Sequence, residues 1–585
     1  MTDEAPHPIR APADPVPASF AAAAAGDPIA VATPSTGGPT VAFENDPRFL
    51  QAVRFHEARR LKDAEALFRS VLRDAAQMRV RRPIPALLRL AGILIERGET
   101  ERAFAFADEA ATLAPEDPLA LNLHGMALGA LGRRAEAEVA FRAAIARAPA
   151  FVEALHNLGR VLADDGRHQE AAASFREALA LAPGFVAARH GLSGALREGG
   201  RFQEALVELD RVIAAEGETA DRLNERGILL FLVRRPAEAV ATYDRVLAQA
   251  PGFEPARFNR SISLLLLGDY ARGWPAYEHR FETDQVRPIP FEQPRWRGEP
   301  IEGKTIVLWG EQGHGDTLHF VRYAPMVAAR GARVLVIAQR ALSRLLQSVP
   351  GVDRAVPFGH AVGAHDLHCP LMSLPMIFGT TVDTIPTGIP YLAPDAAARA
   401  RWAGRFPPGP RKRVGLVWAG APRPDQPTLS AADRRRSVAL VSLAPLFDVD
   451  GIDFVSLQTG RAAAETARAP FAARIHDPMG AVVDFADTAA LVEQLDLVIT
   501  VDTAVAHLAG ALGKPVWMLS RHDGCWRWLD GRDDSPWYPT LRLFRQRAPG
   551  DWTHPIAAVA AALDQFSRDV TARPMAAPDD KRLEA

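Results

Sequence analysis

Small and large apolar residues recur every 34 positions through the first half of the chain. Ala103, Ala137, Ala171, Ala205 and Ala239 keep that step, as do the bulky Phe141, Phe175, Leu209, Tyr243 and Tyr277. Gly98, Gly132, Gly166, Gly200 and Gly268 mark one point of each unit, with Arg234 as the exception. Pro115, Pro149, Pro183 and Pro251 mark another, with Gly217 in the missing place. Glycine ends helices and proline follows them, so the pattern predicts helix–turn–helix units. The small residue lets paired helices approach, and the large one fills the groove between them. Well-formed units run between 84 and 251, a degenerate one lies near 48–80 (LKDAEALFRSVL), and a closing one runs through GDYARGWPAYEHRF. Such units cannot bury their apolar faces alone and stack into a solenoid.

After 283 the pattern changes. RPIPFEQPRWRGEPIEG, Pro-rich and aromatic, reads as an ordered connector. Short apolar runs then alternate with helical stretches, as strands covered on both faces do. Strands are expected at Thr305–Trp309, Arg333–Ala338, Arg354–Pro357 and Asp366–Cys369, and in a second series at Val414–Trp418, Asp453–Leu457, Arg474–His476, Asp496–Val501, Val516–Leu519 and Leu541–Phe544. PYLAPD and RFPPGPRKR separate the two series. The expected architecture is multidomain, α plus α/β. An Ala/Pro-rich disordered tail covers 1–42 and the α-solenoid 43–283. The connector covers 284–303, one Rossmann-like half 304–395, a hinge 396–412, the second half 413–565, and a tail 566–585.

The chain of 585 residues is too long for one ordinary domain. Its formal net charge of −2 gives no reason to expect nucleic acid or an anionic membrane. No apolar run approaches the ~20 residues of a membrane span, and the alanine run Ala21–Ala25 lacks the basic start of a signal peptide. Two cysteines, Cys369 and Cys525, cannot make a disulfide framework. A reducing, cytoplasmic setting is expected.

Candidate chemistry sits in five places. Asn122, His156, His190 and Asn224 occupy one equivalent position of the first helix in successive units. They form either a polar ladder able to hydrogen-bond an extended peptide or a solvated helix face. The stretch WGEQGHGDTLHF, Trp309–Phe320, joins a strand to a helix. Gly313 and Gly315 permit close backbone approach, Gln312 belongs to the same loop, and Asp316 stands where a helix dipole favours a carboxylate. Asp316 is either a general base or a helix cap. It is neither a Rossmann G-x-G-x-x-G nor a phosphate loop, and His314 and His319 have no partner at metal-ligand spacing. VDTAVAHLAGALGKPVW places Asp502, Thr503 and Ala504 at a helix start, with His507 one turn on. Free N–H groups and the dipole there suit a diphosphate. DRRRSVAL offers Arg436 and Ser437 after what reads as a flexible loop, PRPDQPTLSAAD, and a guanidinium fork matches phosphate. Trp526, Trp528 and Trp537 either stack a ring of substrate or close a core.

The repeat resembles the tetratricopeptide repeat, best in PAFVEALHNLGRVLADDGRHQEAAASFREALALAP. Residues 305–550 resemble GT-B glycosyltransferases, and within them glycosyltransferase family 9, the lipopolysaccharide heptosyltransferase family. The early G-x-G-D, VGLVWAG followed by DRRRSVALVSLAPL, and DTAVAHLAGALGKPVW carry the likeness. The resemblance implies a cytoplasmic bacterial enzyme that moves a sugar from a nucleotide-diphospho-sugar to a hydroxyl acceptor. It implies inversion without a metal or other cofactor. It assigns Asp316 as base, Gln312, Gly313 and Gly315 to the acceptor loop, and Arg436, Ser437, Asp502, Thr503, Ala504 and His507 to the donor. That family usually carries Lys-Arg-Trp where this chain has Arg435-Arg436-Ser437. The solenoid would recruit a protein partner or acceptor through its groove. The rival reading is a non-catalytic scaffold with a degenerate or nucleotide-sensing α/β part.

Overall fold

The computed structural model describes residues 43–569 apart from 79, 81, 284, 285, 287, 407, 408 and 422–426. The tail expected at 1–42 lies outside those residues, as does the one expected at 566–585 from 570 on; its first residues, 566–568, instead end the helix Thr553–Arg568. The described chain divides into two compact units, one ending at Arg222 and one beginning at Leu223.

In the first unit helices run in packed pairs from Pro47–Glu57 with Leu61–Gln77 to Val186–Glu198 with Phe202–Glu216. The periodic glycines do what their spacing predicts: Gly98, Gly132, Gly166 and Gly200 take φ of 70–77° at the turns, a conformation costly for residues with a Cβ. Phe141 and Phe175 are buried, and their rings lie against Gly125 and Gly159. A Cβ there would stand 2.7 and 2.8 Å from the ring. The close approach therefore depends on glycines of the first helix as well as on the alanines of the second.

The second unit starts with the remaining repeat helices, Ala220–Leu232 (from Leu223 on), Pro236–Gln249, Glu254–Leu266 and Tyr270–Tyr277. Arg234 takes φ of 62° where the other repeats have glycine. Two parallel sheets follow. The first contains β1 (Thr305–Trp309), β2 (Arg333–Ala338), β3 (Val352–Pro357) and β4 (Leu367–Pro370) in the order β3-β2-β1-β4. The second contains β5 (Lys412–Val417), β6 (Ile452–Ser456), β7 (Ile475–His476), β8 (Leu497–Val501), β9 (Val516–Ser520) and β10 (Leu541–Arg545) in the order β10-β9-β8-β5-β6-β7. These are two Rossmann-like halves. Sequence order reverses between β1 and β4 and between β5 and β8, and ligands of such sheets sit in the crevice at that point.

Two expectations change. The packing does not divide at 283, because the last repeat helices are built into the α/β body. Trp537 donates its indole N–H to the Tyr270 hydroxyl at 3.0 Å, and Trp274 packs edge-on against Trp526 at 5.4 Å. Residues 396–412 are not a bare hinge either. They carry the helix Ala396–Trp402, whose buried Trp402 and the Arg399–Glu493 ion pair fasten it to the second half.

Candidate active site

Two strand-to-helix loops meet in the second unit. The first leaves β1 through Gly310–Gly313 and enters the helix His314–Phe320. Its base is clamped. Glu311 and Arg280 are both fully buried, Arg280 donates to Glu311 Oε1 at 2.8 and 2.5 Å, and Glu311 Oε2 accepts from the Met372 N–H at 2.8 Å. Burial pushes the Glu311 carboxyl above its usual range while Arg280 opposes it. Burial also disfavours the Arg280 cation, but Glu311 and Glu278 outweigh that and hold it charged. The opposing directions resolve to an ion pair, since a buried guanidinium this close to two carboxylates keeps its proton. Beyond the clamp, Gln339 donates to the Gln312 carbonyl at 2.5 Å, fixing the loop to the end of β2.

Asp316 is the third residue of the helix and is buried. One carboxylate oxygen accepts from the Gly313 N–H at 3.1 Å, and the other accepts from Arg527. The cap and the ion pair thus coexist on one carboxylate. Gly315 faces the second loop: a Cβ there would lie 2.9 Å from His507 Cδ2 and 3.5 Å from Ala504 Cα.

The second loop leaves β8 at Asp502 and Thr503 and opens the helix Ala504–Ala511. Thr503, the N-cap, turns its hydroxyl to Thr500 at 3.1 Å and gives no side-chain cap to the helix. Asp502 is half-buried. Arg436 lies across the β5/β8 switch point: it donates to the Asp502 carbonyl at 3.0 Å and to Asp433 at 2.9 Å. Ser437 accepts from the Gly420 N–H at 3.1 Å, just past β5. Arg436, Ser437, Asp502, Thr503 and Ala504 therefore gather at the carboxyl ends of β5 and β8. The expected flexible loop before Arg436 is corrected from 427 on, where Pro427–Arg436 is a helix that buries Ala431 and Ala432. Residues 422–426 lie outside the described residues.

His507 and His319 meet where the two helices pack. Their Nδ1 atoms are 3.2 Å apart, and each lies 3.1 Å from the Tyr538 hydroxyl. Burial, with Arg322 and Arg527 nearby, pushes both imidazoles well below their ordinary range, so both are neutral. One ring then donates where the other accepts. Arg322 donates to the Trp537 carbonyl and the Tyr391 hydroxyl, and Arg344 joins the halves through Asp484 and Asp487 at 2.6 and 2.7 Å.

Trp526, Trp528 and Trp537 are core. All three are fully buried, and Trp528 stacks on His507 with centroids 5.2 Å apart. Burial pushes the Cys525 thiol up, away from a reactive thiolate. In the solenoid, Asn122 and Asn224 are buried and do not face a groove. Their side-chain carbonyls accept from Asn157 at 3.0 Å and Asn259 at 3.1 Å. His156 is half-buried against Phe175 and Phe185, and burial lowers it to about 4; His190 is also half-buried.

The comparisons with known proteins follow this division. Tetratricopeptide-repeat family models match 122–184 and 162–223, and the model of glycosyltransferase family 9 (heptosyltransferase) matches 456–519. The chain joins tetratricopeptide repeats to a glycosyltransferase family 9 match. That match contains Asp502, Thr503, Ala504 and His507, while Asp316, Arg436 and Ser437 fall outside it. Protein FlbA of Caulobacter vibrioides is 28% identical over 429 residues, which cover 61% of this chain and 69% of that protein. Among solved structures, the tetratricopeptide-repeat protein YrrB, described as having an unusual peptide-binding site, matches at 21% identity and a TM-score of 0.28, over 32% of this chain and 95% of its own. A tetratricopeptide-repeat protein of Parabacteroides merdae matches at 17% identity and a TM-score of 0.32, over 40% and 92%. Among the described residues no helix is long and apolar enough to cross a membrane, and no three His, Cys, Asp or Glu side chains gather as a metal-binding group.

Sequence reasoning missed Arg527, Glu311 and Arg280. Arg527 had one local sign, an arginine between two tryptophans in CWRWLDGR. The partners of the other two lie 31 residues apart in different elements, and nothing local joins them.

Proposed function

We propose that the α/β unit transfers a sugar from a nucleotide-diphospho-sugar to a hydroxyl acceptor. The observation that carries this is Arg436 seated on the Asp502 carbonyl at the β5/β8 switch point, beside the start of the Ala504–Ala511 helix, inside or next to the family 9 match. A guanidinium and a helix N-terminus at one crevice suit a diphosphate, and they would stabilise its charge as it leaves. Asp316 takes the acceptor proton in this reading. A carboxylate has about four acceptor sites, so the contacts with Gly313 and Arg527 do not by themselves exhaust it. Inversion at the anomeric carbon, independence from metal, and a cytoplasmic setting belong to the same proposal. The repeats supply a protein-binding module for acceptor or partner. Of the four residues expected along the groove, Asn122 and Asn224 are buried, and His156 and His190 are half-buried.

The test is a survey of UDP-, GDP-, ADP- and TDP-sugars for binding and hydrolysis by the full chain, with Arg436→Ala alongside. Wild type is expected to bind one class, and Arg436→Ala to bind it about 10–100-fold more weakly, as loss of a charged hydrogen bond of roughly 1.5–3 kcal/mol implies. The scaffold reading has one observation in its favour: the Asp316 carboxylate is buried and ion-paired inside the protein. A wild type that binds none of these donors would establish it.

A further inference from the structure

We propose that Arg527 is a positioning residue for Asp316, reaching from the donor half to set the proton acceptor of the other half. This rests on the glycosyltransferase reading above. Asp316 follows β1 in the first half, and Arg527 lies between β9 and β10 in the second. Their side chains meet as a buried ion pair. Gly313 holds one oxygen of the carboxylate and Arg527 the other, so the group is fixed at both ends and cannot swing as a free side chain would. Arg527 is itself fixed. Its guanidinium carbon lies 4.2 Å from the Trp526 ring, and Nη1 donates to Cys525 Sγ at 3.1 Å.

A buried ion pair is weak evidence for stability, because desolvation offsets most of the attraction. Here the neighbourhood gives the pair another use. His507, on the donor-side helix, touches Gly315, the residue before Asp316, and stacks on Trp528, the residue after Arg527. One compact set of contacts therefore fixes the distance between the donor helix and the Asp316 carboxylate. A misplacement of about 1 Å at such a group costs about 100-fold in rate. Orientation of the carboxylate is therefore the contribution assigned to Arg527.

The experiment compares Arg527→Lys, Arg527→Met and Arg527→Ala with wild type in the full chain. It uses the nucleotide sugar on which wild type acts, with thermal unfolding measured alongside. Arg527→Met is expected to lose about 100-fold in kcat while its donor Kd stays within about threefold. Arg527→Lys should recover part of kcat, and millimolar guanidinium should recover part of it in Arg527→Ala. A purely structural arginine would move kcat, Kd and unfolding together, with no rescue by lysine or guanidinium; that result overturns the inference. So does an Arg527→Met variant with wild-type kcat. A wild type without turnover on any nucleotide sugar overturns the glycosyltransferase reading itself, and the positioning role falls with it.

Discussion

The two loops at the carboxyl ends of β1 and β8 look alike in sequence and differ in what holds their charges. Both end a buried strand, open a short helix and carry an aspartate. In the β1 loop, Glu311 is buried against Arg280, and Asp316 against Arg527 and the Gly313 N–H. In the β8 loop, Asp502 stays half-buried, and Arg436 donates to its backbone carbonyl. Thr503 leaves the helix start without a side-chain cap. The β1 loop thus has its charges paired inside the protein, whereas Asp502 in the β8 loop stays half-buried. Under the proposed function the first acts as a fixed edge and the second as the donor side.

The largest effect should come from Asp316. Asp316→Asn is expected to lower turnover by 10²–10⁴, the usual contribution of a general base, with donor affinity retained. It also strands the Arg527 cation, at a cost of about 3–5 kcal/mol. The double variant Asp316→Asn/Arg527→Met should regain most of that stability and none of the rate. Recovery of both, read by urea unfolding and initial rates, would show that the β1 loop is only scaffold.

Next is the clamp. Arg280→Met leaves Glu311 fully buried without its cation, and about 3–5 kcal/mol of stability should go. The loss should appear as a lower urea midpoint for the α/β unit. Removing residues up to 283 deletes Arg280, Tyr270 and Trp274 together, so the remainder should fail to fold. A soluble, cooperative 284–585 fragment would contradict the fused packing seen here.

A smaller effect is expected at the contact between the loops. Gly315→Ala puts a methyl 2.9 Å from His507 Cδ2, closer than side chains pack. His507 is held by Trp528, Tyr538 and His319 and has little room to yield. Overpacking of this kind costs about 1–3 kcal/mol, and donor affinity should fall with it because the donor helix must shift. An unchanged midpoint and unchanged affinity would mean that the two loops are not mechanically joined.

Much of this was legible beforehand for physical reasons that can be named. Period 34 located the turns down to the odd member, Arg234, because the left-handed turn recurs in every unit whatever residue fills it. Each of the ten strands appears within about two residues of its expected bounds, since apolar runs between turn signals mark buried parallel strands. Arg436, Ser437, Asp502, Thr503 and Ala504 lie close together because they share the carboxyl edge of one sheet, whereas His507 sits in the buried seam with His319 and Tyr538. Illegible were pairings between distant elements, such as Arg527 with Asp316 across 211 residues. The Asn122 and Asn224 ladder misled because polarity was read as exposure. Asn157 and Asn259, 35 residues on, supply buried partners, and that second register could have been noticed.

The smallest effect tests the seam by pH. His319 and His507 are held neutral by burial, with Arg322 and Arg527 opposing any added charge and Tyr538 bridging the rings. Their folded values lie below the unfolded value of about 6.5. Below that pH the unfolded chain binds more protons than the folded one, so stability is present above about 6.5 and lost as pH falls. From pH 7 to 6 the loss should be about 0.7 kcal/mol for each imidazole. Glutamine stays neutral over this range and keeps a donor and an acceptor. The double variant His319→Gln/His507→Gln should therefore be less stable at pH 7 but lose about 1.4 kcal/mol less on going to pH 6. Equal losses in urea midpoints would mean that the imidazoles are solvated rather than sealed. The fixed edge and the donor side would then be separable parts, not one packed seam.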